Sequence, residues 1–201
     1  MLNNKNKIMM TNDNLNRFLK SFNILKDNEI EDFIQLSTHK LLNKGDYFIQ
    51  EGETCNQIAF VLSGSLRSYY ISHRDQEITY CITFPKNLMT AYSSFLTGQG
   101  AQENIQAITA TELLIIQKDK FEKIRQQNQN WISFLKIIAE QQYIEMEKRI
   151  FLLQKSDAAK RYADLMQNHP EYIQKIPLTY LASYLGITQR HLSRIRKEFT
   201  F

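Results

Sequence analysis

Apolar residues change their rhythm twice along this chain, and the changes divide it. Leu15, Phe18, Leu19 and Phe22 recur at three- and four-residue spacing, as do Ile30, Phe33, Ile34 and Leu36 after Asp27-Asn28, which predicts two short helices. From Leu41 onward, short β-branched and aromatic runs alternate with Gly-Asp, Glu-Gly-Glu, Ser-Gly-Ser and His-Arg-Asp-Gln turn signals. Signals spaced by about 7 to 12 residues predict an antiparallel sandwich or barrel, with Gly45, Gly52 and Gly64 at turns. Leu88 to Gly100 has a polar and aromatic texture leading to a turn, and strands return over Asn104 to Thr109 and Glu112 to Gln117.

The second change comes at Asp119. From there to Leu153 the chain has neither Gly nor Pro, and predicts one helix of roughly 30 residues, about 45 Å long. Ile132, Leu135, Ala139, Gln142, Met146, Arg149 and Leu153 follow alternating steps of three and four, an a/d seam with five apolar positions. A sandwich-sized domain cannot cover so long a helix, so the seam is expected to pair with a second copy, giving a homodimer. Phe134, Ile138, Ile144 and Ile150 lie off the seam and ask for a further partner, which the β domain supplies. Ser156-Asp157 reads as an N-cap and places a domain boundary near residues 153 to 157.

Leu178 to Phe199, LTYLASYLGITQRHLSRIRKEF, carries the clearest functional signal. Leu181, Leu185, Ile187, Leu192 and Ile195 fall where two short helices crossing over a tight turn each bury one stripe. Gly186 stands where the turn needs positive φ, and Ala182 is small where the helix axes approach. The pattern is that of a helix-turn-helix. Thr188 is the expected N-cap of its second helix, without a capping box because His191 stands three residues on. Off the buried stripe, this helix offers hydrogen-bonding and cationic groups to a major groove. Gln189, Arg190 and Arg194 are the expected base readers, since Arg suits guanine O6/N7 and Gln suits adenine N6/N7. Thr188, Ser193, Arg196 and Lys197 are expected on phosphates, where they set register.

Composition sharpens this division. A helix-turn-helix needs only about 45 to 60 residues, so a chain of 201 has room for a separate domain. The net charge of +4 is uneven: from Ser156 onward seven Lys or Arg face four acids, whereas the first 155 residues hold 18 against 17. Cys55 and Cys81 are too few for a disulfide framework and lack metal-ligand spacing, so a reduced, cytoplasmic protein is expected. MLNNKNKIMMTNDN has no apolar core, and no window reaches the roughly 18 apolar residues that span a bilayer; neither export nor a membrane anchor is expected. Four scattered histidines (His39, His73, His169, His191) and no Ser/His/Asp or paired-carboxylate signature offer no reaction centre, so an enzyme is not expected.

The order of parts resembles the Crp/Fnr family of bacterial transcription regulators over roughly residues 15 to 201. The residues that carry the resemblance are Gly45-Asp46, Gln50-Glu51-Gly52, Phe60-Val61-Leu62-Ser63-Gly64 with Leu66-Arg67, Ala107-Ile108, and Leu192-Ser193-Arg194-Ile195. The resemblance implies an α+β fold in three parts. Residues 1–118 form an N-terminal antiparallel, jelly-roll-like β-roll with flanking helices, a cyclic-nucleotide-binding-like sensor domain. Residues 119–153 form a long dimerisation helix, and residues 154–201 a helix-turn-helix DNA-binding domain. The implied partners are double-stranded DNA with a pseudo-palindromic operator, a second copy of the chain, a small-molecule effector and RNA polymerase. Arg194 matches the family's base-reading arginine, while Arg190 stands where that pattern often has Glu, which implies a different target sequence.

Family members that bind cyclic nucleotides hold the ribose with a Gly-Glu pair and the phosphate with a following Arg-Ser or Arg-Thr. Here the corresponding stretch reads Ala91-Tyr92-Ser93-Ser94 and then Gln102-Glu103-Asn104, with no Arg between Arg74 and Arg125. Losing such a cation costs about 2 to 5 kcal/mol, so the expected effector is not a cyclic nucleotide. Tyr92, Ser93, Ser94, Gln102 and Asn104 are the pocket residues the resemblance implies for it. The four-cysteine iron–sulfur pattern of another branch is absent, and His73, in a predicted turn, reads as a surface residue rather than a haem ligand; no cofactor is expected. The alternative reading is a ligand-binding signalling module whose helix-turn-helix has lost DNA affinity.

Overall fold

The computed structural model describes residues 13–199. The polar start up to residue 12, read above as having no leader, and the last two residues of the chain lie outside them. The chain divides into two units, Met1–Ser68 with Ile82–Ala139, and Tyr69–Cys81 with Glu140–Phe201.

The first unit is built on β-strands flanked by helices. After α1 (13–20) and α2 (Asp27–Leu36) come β1 (Thr38–Leu42), β2 (Tyr47–Ile49), β3 (Gln57–Ser63), β4 (Leu66–Ile71), β5 (Glu77–Thr83), β6 (Leu88–Met89), β7 (Asn104–Ala107) and β8 (Thr111–Gln117). They form two four-stranded sheets, ordered β1-β8-β3-β6 and β2-β7-β4-β5. The texture that was ambiguous in the sequence, Leu88 to Gly100, is β6 followed by a short helix α3 (Tyr92–Thr97), which Gly98 closes in the left-handed conformation.

Register explains why the central strands read as unbroken apolar runs. Ile58 pairs with Ile116 and Phe60 with Leu114, and these four pack under the helices with Leu15, Leu19, Ile30 and Phe33. Ala59 pairs with Ile115 and Val61 with Leu113, and these turn the other way, onto Phe48, Leu66 and Ile105 of the second sheet. A strand buried on both faces has no polar side to alternate with. Gly64 closes the β3–β4 turn at φ +86°, and a Cβ there would stand 2.4 Å from the Ala110 carbonyl oxygen, so no other residue fits.

The single helix expected over residues 119–153 is two. α4 (Lys118–Gln127) ends at Asn128, whose backbone is extended (φ −147°, ψ 122°), and α5 runs from Gln129 to Lys155. A buried carboxylate explains the break. Glu29 of α2 accepts from the Lys26 amide at 2.7 Å and from Asn130 Nδ2 at 3.0 Å, and Asn128 Nδ2 also donates to it. Asn128 Oδ1 in turn accepts from the Asn130 amide at 2.9 Å, the N-cap geometry that starts a new helix. Beside this junction Trp131, 1% exposed, stacks on Phe33 and meets Phe121 and Phe134 edge-on, with ring centroids 5.3 to 5.7 Å away.

The second unit holds the distal part of β4 and β5, residues 69–81, with the later part of α5, α6 (Ala158–Asn168), α7 (Pro170–Lys175), α8 (Leu178–Tyr184) and α9 (Gln189–Glu198). Asp157 caps α6, accepting from the Lys160 amide at 2.8 Å.

Candidate nucleic-acid interface

The geometry of α8 and α9 follows from a few residues. Leu181, Ala182, Leu185, Leu192 and Ile195 are all buried, Ile187 is half-buried, and the turn passes through Gly186 at φ +68°. The Gly186 amide donates to Ser183 O and the Ile187 amide to Ala182 O, both at 3.0 Å, which closes the end of α8. Thr188 then caps α9, its hydroxyl accepting from the His191 amide at 3.2 Å. α6 supports α9 from behind: Tyr162 meets Phe199 edge-on at 5.4 Å.

The outer face of α9 is therefore set. Gln189, Arg190, Arg194, Arg196 and Lys197 are exposed, with Ser193 half-buried between them and Thr188 exposed at the helix start. At about 100° per residue, Gln189, Arg190, Ser193, Arg194 and Lys197 share one face of about 140°, while Arg196 stands at its flank. Gln189 Nε2 donates to Thr179 Oγ1 on α8, a partner that the sequence reading missed. The side chain of Gln189 is thereby held, with its amide oxygen left to accept.

Two arginines hold the turn itself. Arg149 of α5 lies 3.8 Å over the Tyr184 ring and donates to the Tyr184 carbonyl at 2.8 Å. Arg161 of α6 donates to the Leu185 carbonyl at 2.9 Å and to Ser156 O at 2.5 Å. Both place cations on the carbonyl end of α8, which favours positive charge. Burial raises the hydroxyl pKa of both Tyr172 and Tyr184, so both stay neutral at physiological pH.

The long helix distributes the expected seam residues differently. Leu135 packs against the helical core cluster, and Arg149 reaches Tyr184, so neither faces outward as the a/d spacing predicts. Gln142 is exposed, Ala139 half-buried, and Ile132, Met146 and Leu153 exposed. Tyr143 and Ile150, which that spacing passed over, are exposed beside them, Tyr143 at 68% and Met146 at 60%. The exposed apolar residues of α5 are Ile132, Tyr143, Ile144, Met146, Ile150, Phe151 and Leu153; of these, Ile132, Tyr143, Met146, Ile150 and Leu153, with half-buried Ala139, form one stripe spaced by seven and then by alternating four and three.

In the β-roll, two of the five residues expected around an effector, Ser94 and Asn104, are buried and bonded to backbone groups. Ser94, buried, accepts from the Cys55 amide at 2.9 Å and donates to Gln99 O at 2.5 Å, while Asn104 accepts from the Glu51 amide at 3.1 Å. Tyr92, Ser93 and Gln102 are exposed. Glu103, half-buried, has one carboxylate oxygen without a partner, and burial pushes its pKa up to about 7. Between about pH 4.5 and 7 the folded chain therefore holds a proton that the unfolded chain has released, so stability falls as pH rises through that window. Glu103→Gln is expected to flatten this fall and to raise stability at pH 8 by on the order of 1 kcal/mol, measured by urea unfolding from pH 5 to 8. A variant that kept the wild-type slope would show that the proton sits elsewhere.

Among the described residues no group of three or more His, Cys, Asp or Glu is placed to hold a metal, and no helix is long and apolar enough to cross a membrane. His73 is exposed.

Residues 39–128 match the family model of the cyclic nucleotide-binding domain. Among curated proteins no sequence matches the chain. Solved structures do. FixK2 from Bradyrhizobium japonicum superposes with a TM-score of 0.71 at 17% identity, over 81% of this chain and 83% of that one. The c-di-GMP-responsive global regulator CLP from Xanthomonas campestris gives 0.70 at 15%, over 87% and 91%. A protein from Eubacterium rectale described as a transcriptional regulator of the crp/fnr family gives 0.69 at 19%, over 91% and 87%. At these identities the likeness establishes a shared fold: two antiparallel sheets, a long helix and a helical C-terminal part.

Proposed function

We propose that this chain, which has the fold of the Crp/Fnr-type transcriptional regulators, is a homodimeric, sequence-specific DNA-binding regulator. The observation that carries the reading is the exposed cationic face of α9 on a capped, doubly clamped helix-turn-helix. α9 is the recognition helix, with Gln189, Arg190 and Arg194 on base edges and Thr188, Ser193, Arg196 and Lys197 on phosphates. Two copies pair along Ile132, Ala139, Tyr143, Met146, Ile150 and Leu153. This sets the two recognition helices about 34 Å apart, for successive major grooves of a pseudo-palindromic operator.

The effector is a small molecule other than a cyclic nucleotide. The stretch that would hold a cyclic phosphate has no arginine, and it carries Glu103 with an unpartnered buried oxygen. RNA polymerase is the expected second partner at the promoter, and the β-roll (residues 1–118), the helical segment 119–153 with α5 as its long helix, and the DNA-binding part (154–201) act as sensor, coupler and reader.

Arg194→Ala is expected to cost about 1 to 3 kcal/mol on the operator and to relax selectivity at one base position, whereas Lys197→Ala weakens all sequences alike and lowers the salt slope by about one. Binding to a duplex enriched from a random-sequence pool, measured across salt concentrations, checks both. Wild-type binding with no preference among sequences would instead favour the signalling-module reading.

A further inference from the structure

We infer that Ser183 is a positioning residue for DNA reading, one that staples the helix-turn-helix to the arm formed by the distal parts of β4 and β5. The Ser183 hydroxyl accepts from the Thr79 amide at 2.9 Å and donates to the Glu77 carbonyl at 2.9 Å. Those two groups belong to β5, the last strand of its sheet, whose outer edge has no neighbouring strand among the described residues. Residues two apart on an edge strand present their backbone groups on the same side, so a single hydroxyl that both donates and accepts can plug that edge. Thr79 is fully buried, so an amide that lost its acceptor there is left unsatisfied in the closed structure, which favours local opening of the edge to water.

The staple acts on the reader because of where Ser183 lies. It is one of three consecutive residues in the last turn of α8 and its cap that are each held from outside: Ser183 by the arm, Tyr184 by Arg149 and Leu185 by Arg161. Gly186 and the turn into α9 follow directly. Fixing this turn fixes the start of the recognition helix, while Gln189, Arg190 and Arg194 stay exposed. The contact therefore orients the reader and does not mask it.

The inference rests on the DNA-binding reading above, and its test separates the two. In the full-length protein, Ser183→Ala is expected to speed hydrogen exchange of the Thr79 amide at least tenfold, while Leu192 and Ile195 in α9 keep their protection. Affinity for a duplex that the wild type enriches from a random pool falls about 5- to 50-fold with the base preferences unchanged. Ser183→Thr, which keeps the hydroxyl, restores both. An unchanged Thr79 exchange rate would overturn the staple. An affinity within twofold of wild type despite faster exchange, or loss of protection throughout α9, would overturn the positioning role. Failure of the wild type to enrich any sequence would overturn the DNA-binding reading and the positioning role with it, leaving the exchange result to judge the staple alone.

Discussion

Trp131→Ala is expected to lower the unfolding free energy of the first unit by about 3 to 5 kcal/mol. The indole is 1% exposed and is enclosed by Phe33 of α2, Phe121 of α4 and Phe134 of its own helix. Removing it leaves a cavity where three helices meet, and the surrounding rings cannot all move in, because Glu29, Asn128 and Asn130 hold the α4–α5 junction one turn away. Phe at this position refills most of the space and should recover more than half of the loss. Leu96→Ala, on an exposed side chain of α3, should change stability by no more than about 0.5 kcal/mol. Denaturant unfolding followed by far-ultraviolet circular dichroism would measure all three. A loss below about 1 kcal/mol for Trp131→Ala would mean that the helical layer is not organised around this ring.

The same junction shows what the sequence leaves out. The helix-turn-helix was legible because its determinants lie within some twenty residues: Ala182, Gly186 and Thr188 act on their immediate neighbours, and the structure puts each where local chemistry predicts. The strands were legible for a similar reason, since double burial leaves continuous apolar runs such as those of β3 and β8. The break at Asn128 was not, because the carboxylate that stabilises it comes from Glu29, far back in the chain. Nor was the arm's place with the C-terminal helices, which depends on Ser183 meeting Glu77 and Thr79 across more than a hundred residues. The seam of α5 was legible only in part: Ile132, Ala139, Met146 and Leu153 stay on one stripe, whereas Leu135 packs on the core and Arg149 reaches Tyr184. Two neighbouring apolar stripes satisfy the same three-and-four spacing, and only packing decides that Leu135 faces the core and Tyr143 does not.

Met146→Glu is expected to convert a dimer into monomers while leaving each chain folded. Met146 is 60% exposed within its own chain, at the centre of the outward stripe from Ile132 to Leu153. A carboxylate there has water in the monomer, so the cost to a single chain stays within about 0.5 kcal/mol. In a pair of α5 helices the same position faces apolar neighbours and, near the two-fold axis, a second carboxylate; desolvating two like charges at close range opposes association strongly. On the proposed reading, operator binding depends on both recognition helices engaging at once. Once they are separated, the second half-site no longer benefits from being tethered to the first, and affinity for a two-half-site duplex should fall about 100-fold or more. Affinity for a single half-site should not change. Lys148→Ala is the matching control: Lys148 is exposed on another side of α5, and its 2.8 Å pair with Glu145 is worth little in water. Sedimentation velocity on the free proteins and titration of one- and two-half-site duplexes would give the result. If Met146→Glu stayed dimeric, the copies would meet through a surface other than α5, and the 34 Å spacing proposed for the recognition helices would lose its basis.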